Sequence, residues 1–106
     1  ECAFCLDMHI KDARASGETD ERLFMLSAWR ESALYTERER AALEWAEAVT
    51  LISETHVPDE VFAEAMLHFT EAELVNLTMA VITINGWNRL SVAFRAEAGS
   101  YQPSKH

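Results

Sequence analysis

Apolar residues return at intervals of three and four along nearly the whole chain, the period of helices that bury one face. In the opening stretch Cys2, Cys5, Leu6, His9, Ile10 and Ala13 share a face, and Gly17 fits a helix stop. The segment TDERLFMLSAWRES begins with Thr19 or Asp20 as a cap and turns Leu23, Leu26 and Trp29 inward. Thr36 with Glu39 three residues later forms the reciprocal capping box, and Ala42, Leu43, Ala46, Val49 and Leu51–Ile52 supply the buried side of that helix. Pro58–Asp59 starts a further helix with Val61, Phe62, Ala65 and Leu67 to Phe69 as packing candidates.

Thr70 with Glu73 repeats the capping box and opens the longest apolar segment, which is greasy on more than one side between Leu74 and Ile84. Its β-branched run Val81 to Ile84 would suit a strand in isolation. Flanked by helical periodicity, it reads as buried helix. Residues 70–95 as one helix would span about 39 Å. A helix apolar on several faces calls for neighbours on several sides, a second subunit among them. Asn85-Gly86 is expected to be a kink or a point of close backbone approach. Asn85 to Arg89 reads either as the lining of a pocket or an oligomer contact or, the favoured reading, as a kink with Asn88 and Arg89 hydrogen-bonded structurally. The pattern predicts an all-α domain of about five helices, a single unit over residues 1–106, with residues 97–106 as a flexible tail.

Composition narrows the classes. The chain has 106 residues, 49% of them hydrophobic, with three glycines and two prolines, which fits a helical globular domain. No apolar run reaches the roughly 18 residues a membrane span needs, and no signal pattern opens the chain, so the expected compartment is the cytoplasm. Nine basic residues against 18 acidic ones leave a net charge of −9. The basic residues are scattered among carboxylates, which argues against the basic stripe that nucleic-acid binding requires. Trp29, Trp45 and Trp87 are read as core or interface anchors, Met66 and Met79 as gap-fillers, and Glu37 to Arg40 as a solvated face.

Candidate chemistry is concentrated at one end. The chain has two cysteines, Cys2 and Cys5, in CAFCLDMH, and His9 follows Cys5 by four. On a helix, residues three and four apart are neighbours, so two thiols close enough for a disulfide and an imidazole form one line. A helix N-terminus and a nearby imidazole both favour the reactive thiolate. A thiolate that attacks a peroxide becomes a sulfenic acid, which a second thiol converts to a disulfide. Two other readings stand beside this one. Inert core thiols are common, and a zinc site could use Cys2, Cys5 and His9, though three ligands crowd one helix and no fourth is evident.

The string C-x-x-C-x-x-x-H, followed by KDARASGE, resembles the AhpD-like alkylhydroperoxidase group of the carboxymuconolactone decarboxylase family. GETDERLFMLSAWRES, YTERERAALEWAEAVT and AVITINGWNRLSVAF resemble its later helices, so the likeness runs to about Arg95. The resemblance implies an all-helical fold assembled as trimers or hexamers. It also implies a thiol-dependent hydroperoxide reductase that serves antioxidant defence. Cys5 matches the peroxidatic cysteine, Cys2 the resolving cysteine and His9 the proton-relay histidine. The substrate would be a hydroperoxide and the partner an external dithiol reductant, with no cofactor or metal. Phe4 stands where the best-described members carry a second histidine. The family's relay glutamate lies about a dozen residues before the first cysteine, so the chain is expected to be a piece of a longer protein. The alternatives are a disulfide oxidoreductase or redox sensor of the same family, a structural helical oligomer, and a zinc-binding module.

Overall fold

The computed structural model describes the backbone of residues 3–99 and 102–103, and the side chains from residue 8 onward within those ranges. The described elements are helices, with no strand among them: α1 (Ala3–Ala15), α2 (Asp20–Met25), a 3-10 helix (Leu26–Glu31), α3 (Glu37–Thr50), α4 (Ile52–Thr55), α5 (Asp59–His68) and α6 (Glu71–Ala93). They form two compact units. One joins α1 and α2 to the chain from Gly86 onward, and the other runs from Ala28 to Asn85. The five predicted helical regions are all present. Two of them are divided, the second at Ala28, whose φ and ψ of −116° and 33° are non-helical, and the third at Leu51.

In the second unit α3 packs along α5, and the core is Trp45, Ala48, Val61, Ala65 and Leu74, with Val49, Val57, Phe69 and Leu77 against it. Both capping boxes form. Thr36 Oγ1 accepts from Glu39 N at 3.1 Å while Glu39 Oε1 accepts from Thr36 N at 2.9 Å. Thr70 and Glu73 make the same pair at 3.1 and 2.9 Å. Each satisfies two backbone donors that a helix start leaves without partners.

The fully buried face of α3 is Ala41, Trp45 and Ala48, one residue round from the set predicted from periodicity, of which Val49 packs against the core. Leu51 and Ile52 are exposed because the chain leaves α3 there. Trp45 decides the rotation, since its ring buries far more area than Leu43 and its Nε1 donates to Thr78 Oγ1 on α6 at 2.9 Å. On α5, Val61 and Ala65 face the core, whereas Phe62 and Leu67, expected inside, are exposed. Leu26, Met66 and Met79 are exposed as well, so neither methionine fills a gap in this chain's own core.

Glu37 to Arg40 is more than a solvated face. Arg38 stacks 4.4 Å over the Phe69 ring, donates to the His68 carbonyl at 3.2 Å and pairs with Glu73 at 3.0 Å. That clasp ties the start of α3 to the α5–α6 junction. Arg40 donates to the carbonyls of Trp29, Ser32 and Arg30 at 3.0, 2.9 and 2.6 Å. One guanidinium thus gathers two carbonyls of the last turn of the 3-10 helix, Trp29 and Arg30, and that of Ser32 just past its end. Between α4 and α5, His56 and Val57 both hold positive φ, 52° and 48°. That conformation is costly for a β-branched residue. It is held by Val57 N donating to Thr55 Oγ1 at 3.1 Å and by Val57 packing on the core.

α6 is continuous through Asn85 and Gly86, with no break at the expected kink. Among the described residues Gly86 is not a point of close approach either, because a Cβ placed on it would meet nothing within 4 Å.

Candidate active site

The sequence places the chemistry on α1, so the way this helix is held matters first. No glycine or proline interrupts Ala3–Ala15. It ends where Gly17 takes φ 97°, with Gly17 N donating to Arg14 O at 3.0 Å and Glu18 N to Ala13 O at 2.9 Å. These two bonds are the Schellman pattern, which glycine enters without a Cβ penalty. The predicted stop is borne out. Beyond it, Arg14 Nε meets Asp20 at 2.7 Å at the first residue of α2, and the Arg14 guanidinium lies 5.9 Å from the Phe24 ring centroid. Glu18 pairs with Arg22 at 3.2 Å. Lys11 Nζ donates to the Gly99 carbonyl at 3.2 Å, which fastens α1 to the chain beyond α6.

Within that frame, His9 lies mid-helix and is exposed. The backbone of Cys5 is in α1, four residues earlier, so Cys5 and His9 fall on one face one turn apart. The Cys5 side chain and all of Cys2 lie outside the described residues, so the two sulfurs carry no geometry here. Among the described residues no group of three or more His, Cys, Asp or Glu is arranged to hold a metal.

The other expected site residues sort as follows. Trp45 is a core anchor, but Trp87 is exposed. Asn88 departs from expectation: its Oδ1 is buried and accepts no hydrogen bond from the described residues. Sequence could not have signalled this, because helical periodicity places the residue near the inward side without saying what faces it.

Among the described residues, the second unit carries two concave surfaces relevant to a site. One, of about 460 Å³, is an apolar groove between α5 and α6 lined by Trp45, Phe62, Met66, Leu74, Val75 and Met79, and Glu71 is its one ionisable wall residue. The other is walled by Trp29, Arg30 and Arg40 with Glu37, Glu44, Glu60 and Glu64. Its arginines are committed, Arg30 to Glu47 at 2.9 Å and Arg40 to the three carbonyls. Neither of these surfaces combines a nucleophile with a base.

Comparison with known proteins places this arrangement. The sequence profile of the carboxymuconolactone decarboxylase family matches residues 1–48, a span that contains CAFCLDMH, α1, α2 and most of α3. YdfG of Bacillus subtilis (strain 168), an uncharacterized protein, is 46% identical over 99 residues, 93% of this chain and 67% of its own length. YnjA of Escherichia coli (strain K12), also uncharacterized, is 34% identical over 96 residues, 90% of this chain and 50% of its own. The chain therefore spans two thirds of one relative and half of the other. A crystal structure of a protein of unknown function from Agrobacterium tumefaciens, given as a candidate antioxidant defence protein AhpD, superposes with a TM-score of 0.91. It is 46% identical, and the match covers 94% of this chain and 68% of that one. In sequence profile, overall identity and backbone course, the chain belongs to the carboxymuconolactone decarboxylase family, as an AhpD-like member.

Proposed function

We propose that the protein is a thiol-dependent hydroperoxide reductase of antioxidant defence, with Cys5 as the attacking thiol, Cys2 as the resolving thiol and His9 as the proton relay. The observation that carries the reading is the register of α1, which sets Cys5 and an exposed His9 one turn apart. Family membership supports it, as does the likeness to a protein given as a candidate AhpD. The Cys5 thiolate attacks the terminal oxygen of ROOH. An S–O bond forms, the O–O bond breaks, and the alkoxide leaves as ROH with a proton relayed through His9. The Cys2 thiol then attacks the sulfenic sulfur, which releases water and forms the Cys2–Cys5 disulfide. An external dithiol supplies the two electrons that restore both thiols. A homo-oligomer, trimer or hexamer, and a cytoplasmic location belong to the same reading.

The test is to titrate the reduced protein with hydroperoxide and count thiols. Two are lost per chain, and turnover appears when a dithiol is supplied. Cys5→Ser abolishes peroxide consumption. His9→Asn slows it by about 10²-fold or more, the scale of a positioned proton-transfer group. A Cys5→Ser protein that still consumes peroxide at the original rate rejects the assignment. Loss of two thiols with negligible turnover makes the pair a redox sensor or disulfide oxidoreductase instead.

A further inference from the structure

The apolar groove between α5 and α6, of about 460 Å³, is built wholly from residues of the second unit. Glu71, Val75 and Met79, each four residues from the next, form one wall along two turns of α6. Phe62 and Met66, one turn apart on α5, form the other, and the buried indole of Trp45 closes the base. That base is fixed in place. Trp45 Nε1 donates to Thr78 Oγ1 at 2.9 Å, and the Phe62 ring lies 6.2 Å from the indole at a tilt of 48°. Phe62, Val75 and Met79 are each exposed by 51% or more, so the walls open to solvent along an uncharged strip of α6. A volume within roughly 300–1,000 Å³, an apolar lining and few polar groups are the marks of a small-molecule site.

Charge selects the ligand. Within Ala28–Asn85 three arginines stand against eleven carboxylates. All three are committed, Arg30 to Glu47, Arg38 to Glu73 and Arg40 to three backbone carbonyls. Glu71 is exposed at the end of the groove where α6 begins, and it has no hydrogen-bond or ionic partner among the described residues. A counter-charge at that end therefore comes from outside the unit. Thr78, which holds the indole, is seven residues from Glu71, about 10 Å along the helix axis. A complementary molecule carries a cationic head about that far from the apolar end that reaches Trp45.

We propose that this groove binds a small amphiphilic amine, an ammonium head on a short apolar chain. The ammonium pairs with the Glu71 carboxylate, and the chain lies between Phe62 and Met79 over the Trp45 indole. An anion on the same chain would meet a carboxylate in a unit already rich in negative charge, whereas that field raises the local concentration of cations. The site goes beyond the peroxidase reading and does not depend on it, since none of the groove residues lies on α1.

The experiment titrates the 106-residue chain with n-octylamine, 1-octanol and octanoate, which share one chain length and differ in the head. Binding is read from the indole N–H signals in proton–nitrogen correlation spectra, with Trp45 assigned through Trp45→Phe. Octylamine is expected to shift the Trp45 signal and to bind about threefold or more tighter than octanol, the scale of an exposed ion pair. Octanoate binds more weakly than either. Glu71→Gln removes the preference for amine over alcohol, and Glu71→Lys turns it toward octanoate. Circular dichroism checks that both keep the parent helicity. Phe62→Ser weakens amine and alcohol alike, by roughly fivefold, through lost apolar contact. No binding at millimolar octylamine, equal affinity for the three probes, an amine preference that survives Glu71→Lys, or shifts confined to the other tryptophans overturns the proposal. So does a Phe62→Ser protein that sediments as a smaller species while binding octylamine as the parent does, which assigns the groove to a second copy. Cys5→Ser leaves the groove intact and binds octylamine unchanged, which separates failure here from failure of the peroxidase reading.

Discussion

The bond between Trp45 and Thr78 offers the sharpest test of how the second unit holds together. Trp45 is 8% exposed, and its indole Nε1 donates to Thr78 Oγ1 at 2.9 Å, while that hydroxyl donates to the Leu74 carbonyl at 2.7 Å. Thr78→Val keeps the shape and removes the acceptor, leaving a buried N–H without a partner. Net loss of a hydrogen bond costs about 0.5–1.5 kcal/mol, and an orphaned buried donor about 1–3 kcal/mol. Removing a hydroxyl from a half-buried site returns part of that. The expected destabilisation is about 1.5 kcal/mol, a fall in Tm of roughly 6–10 °C for a domain this size. Thr78→Ser, which keeps the oxygen, is expected to cost less than half as much. Urea unfolding followed by circular dichroism, at one fixed protein concentration because association shifts apparent stability, measures each variant. Trp45→Phe then completes a double-mutant cycle with an expected coupling of about 1 kcal/mol between the two sites. Coupling below about 0.3 kcal/mol, within the additivity of unconnected positions, would refute the bond as a stabilising link between α3 and α6.

Ala65 is 1% exposed where α5 meets the core, so Ala65→Leu overpacks it and is expected to cost about 1–3 kcal/mol in the same urea assay. His56 is exposed at φ 52°, and His56→Gly removes a left-handed penalty of about 1–2 kcal/mol while adding glycine's unfolded-state entropy. A net gain of roughly 0.5 kcal/mol is expected, visible as a raised urea midpoint. Glu73 accepts from the Thr70 backbone N–H, then from its hydroxyl, and lies beside Arg38, all of which hold its carboxyl below the ordinary 4.5. A depressed folded pKa contributes stability above pH 4.5 that is lost as pH falls through the folded value. Glu73→Gln, which keeps an oxygen for the capping box, is therefore expected to be less stable than the parent at neutral pH. The gap closes as acid protonates the parent, and stability curves between pH 3 and 7 would show whether it does.

Much of the fold was written in local chemistry. Thr36 with Glu39 and Thr70 with Glu73 announce helix starts because each pair satisfies its own backbone donors within four residues, and Gly17 announces a stop because left-handed φ favours glycine. Such signals involve neighbours in the chain, so they survive without knowledge of the third dimension. The candidate site was legible for the same reason. Cys5 and His9 sit one turn apart on α1 wherever that helix is placed, and the family pattern rests on that short string.

Packing had to wait for the tertiary structure. Periodicity says that α3 has an apolar side but leaves its rotation open by one residue, and the Trp45 hydrogen bond to α6 chose Ala41–Trp45–Ala48. Nothing in the order ERER distinguishes a solvated face from Arg38 clasping Phe69 and Glu73, or from Arg40 closing a helix end eight to eleven residues away. The sequence alone determined where helices begin, what period they follow and which residues carry sulfur and imidazole. The tertiary structure decided which apolar residues are buried. Burial depends on contacts between segments distant in the chain, and α6 shows the difference, its exposed strip as greasy in sequence as the core beside it.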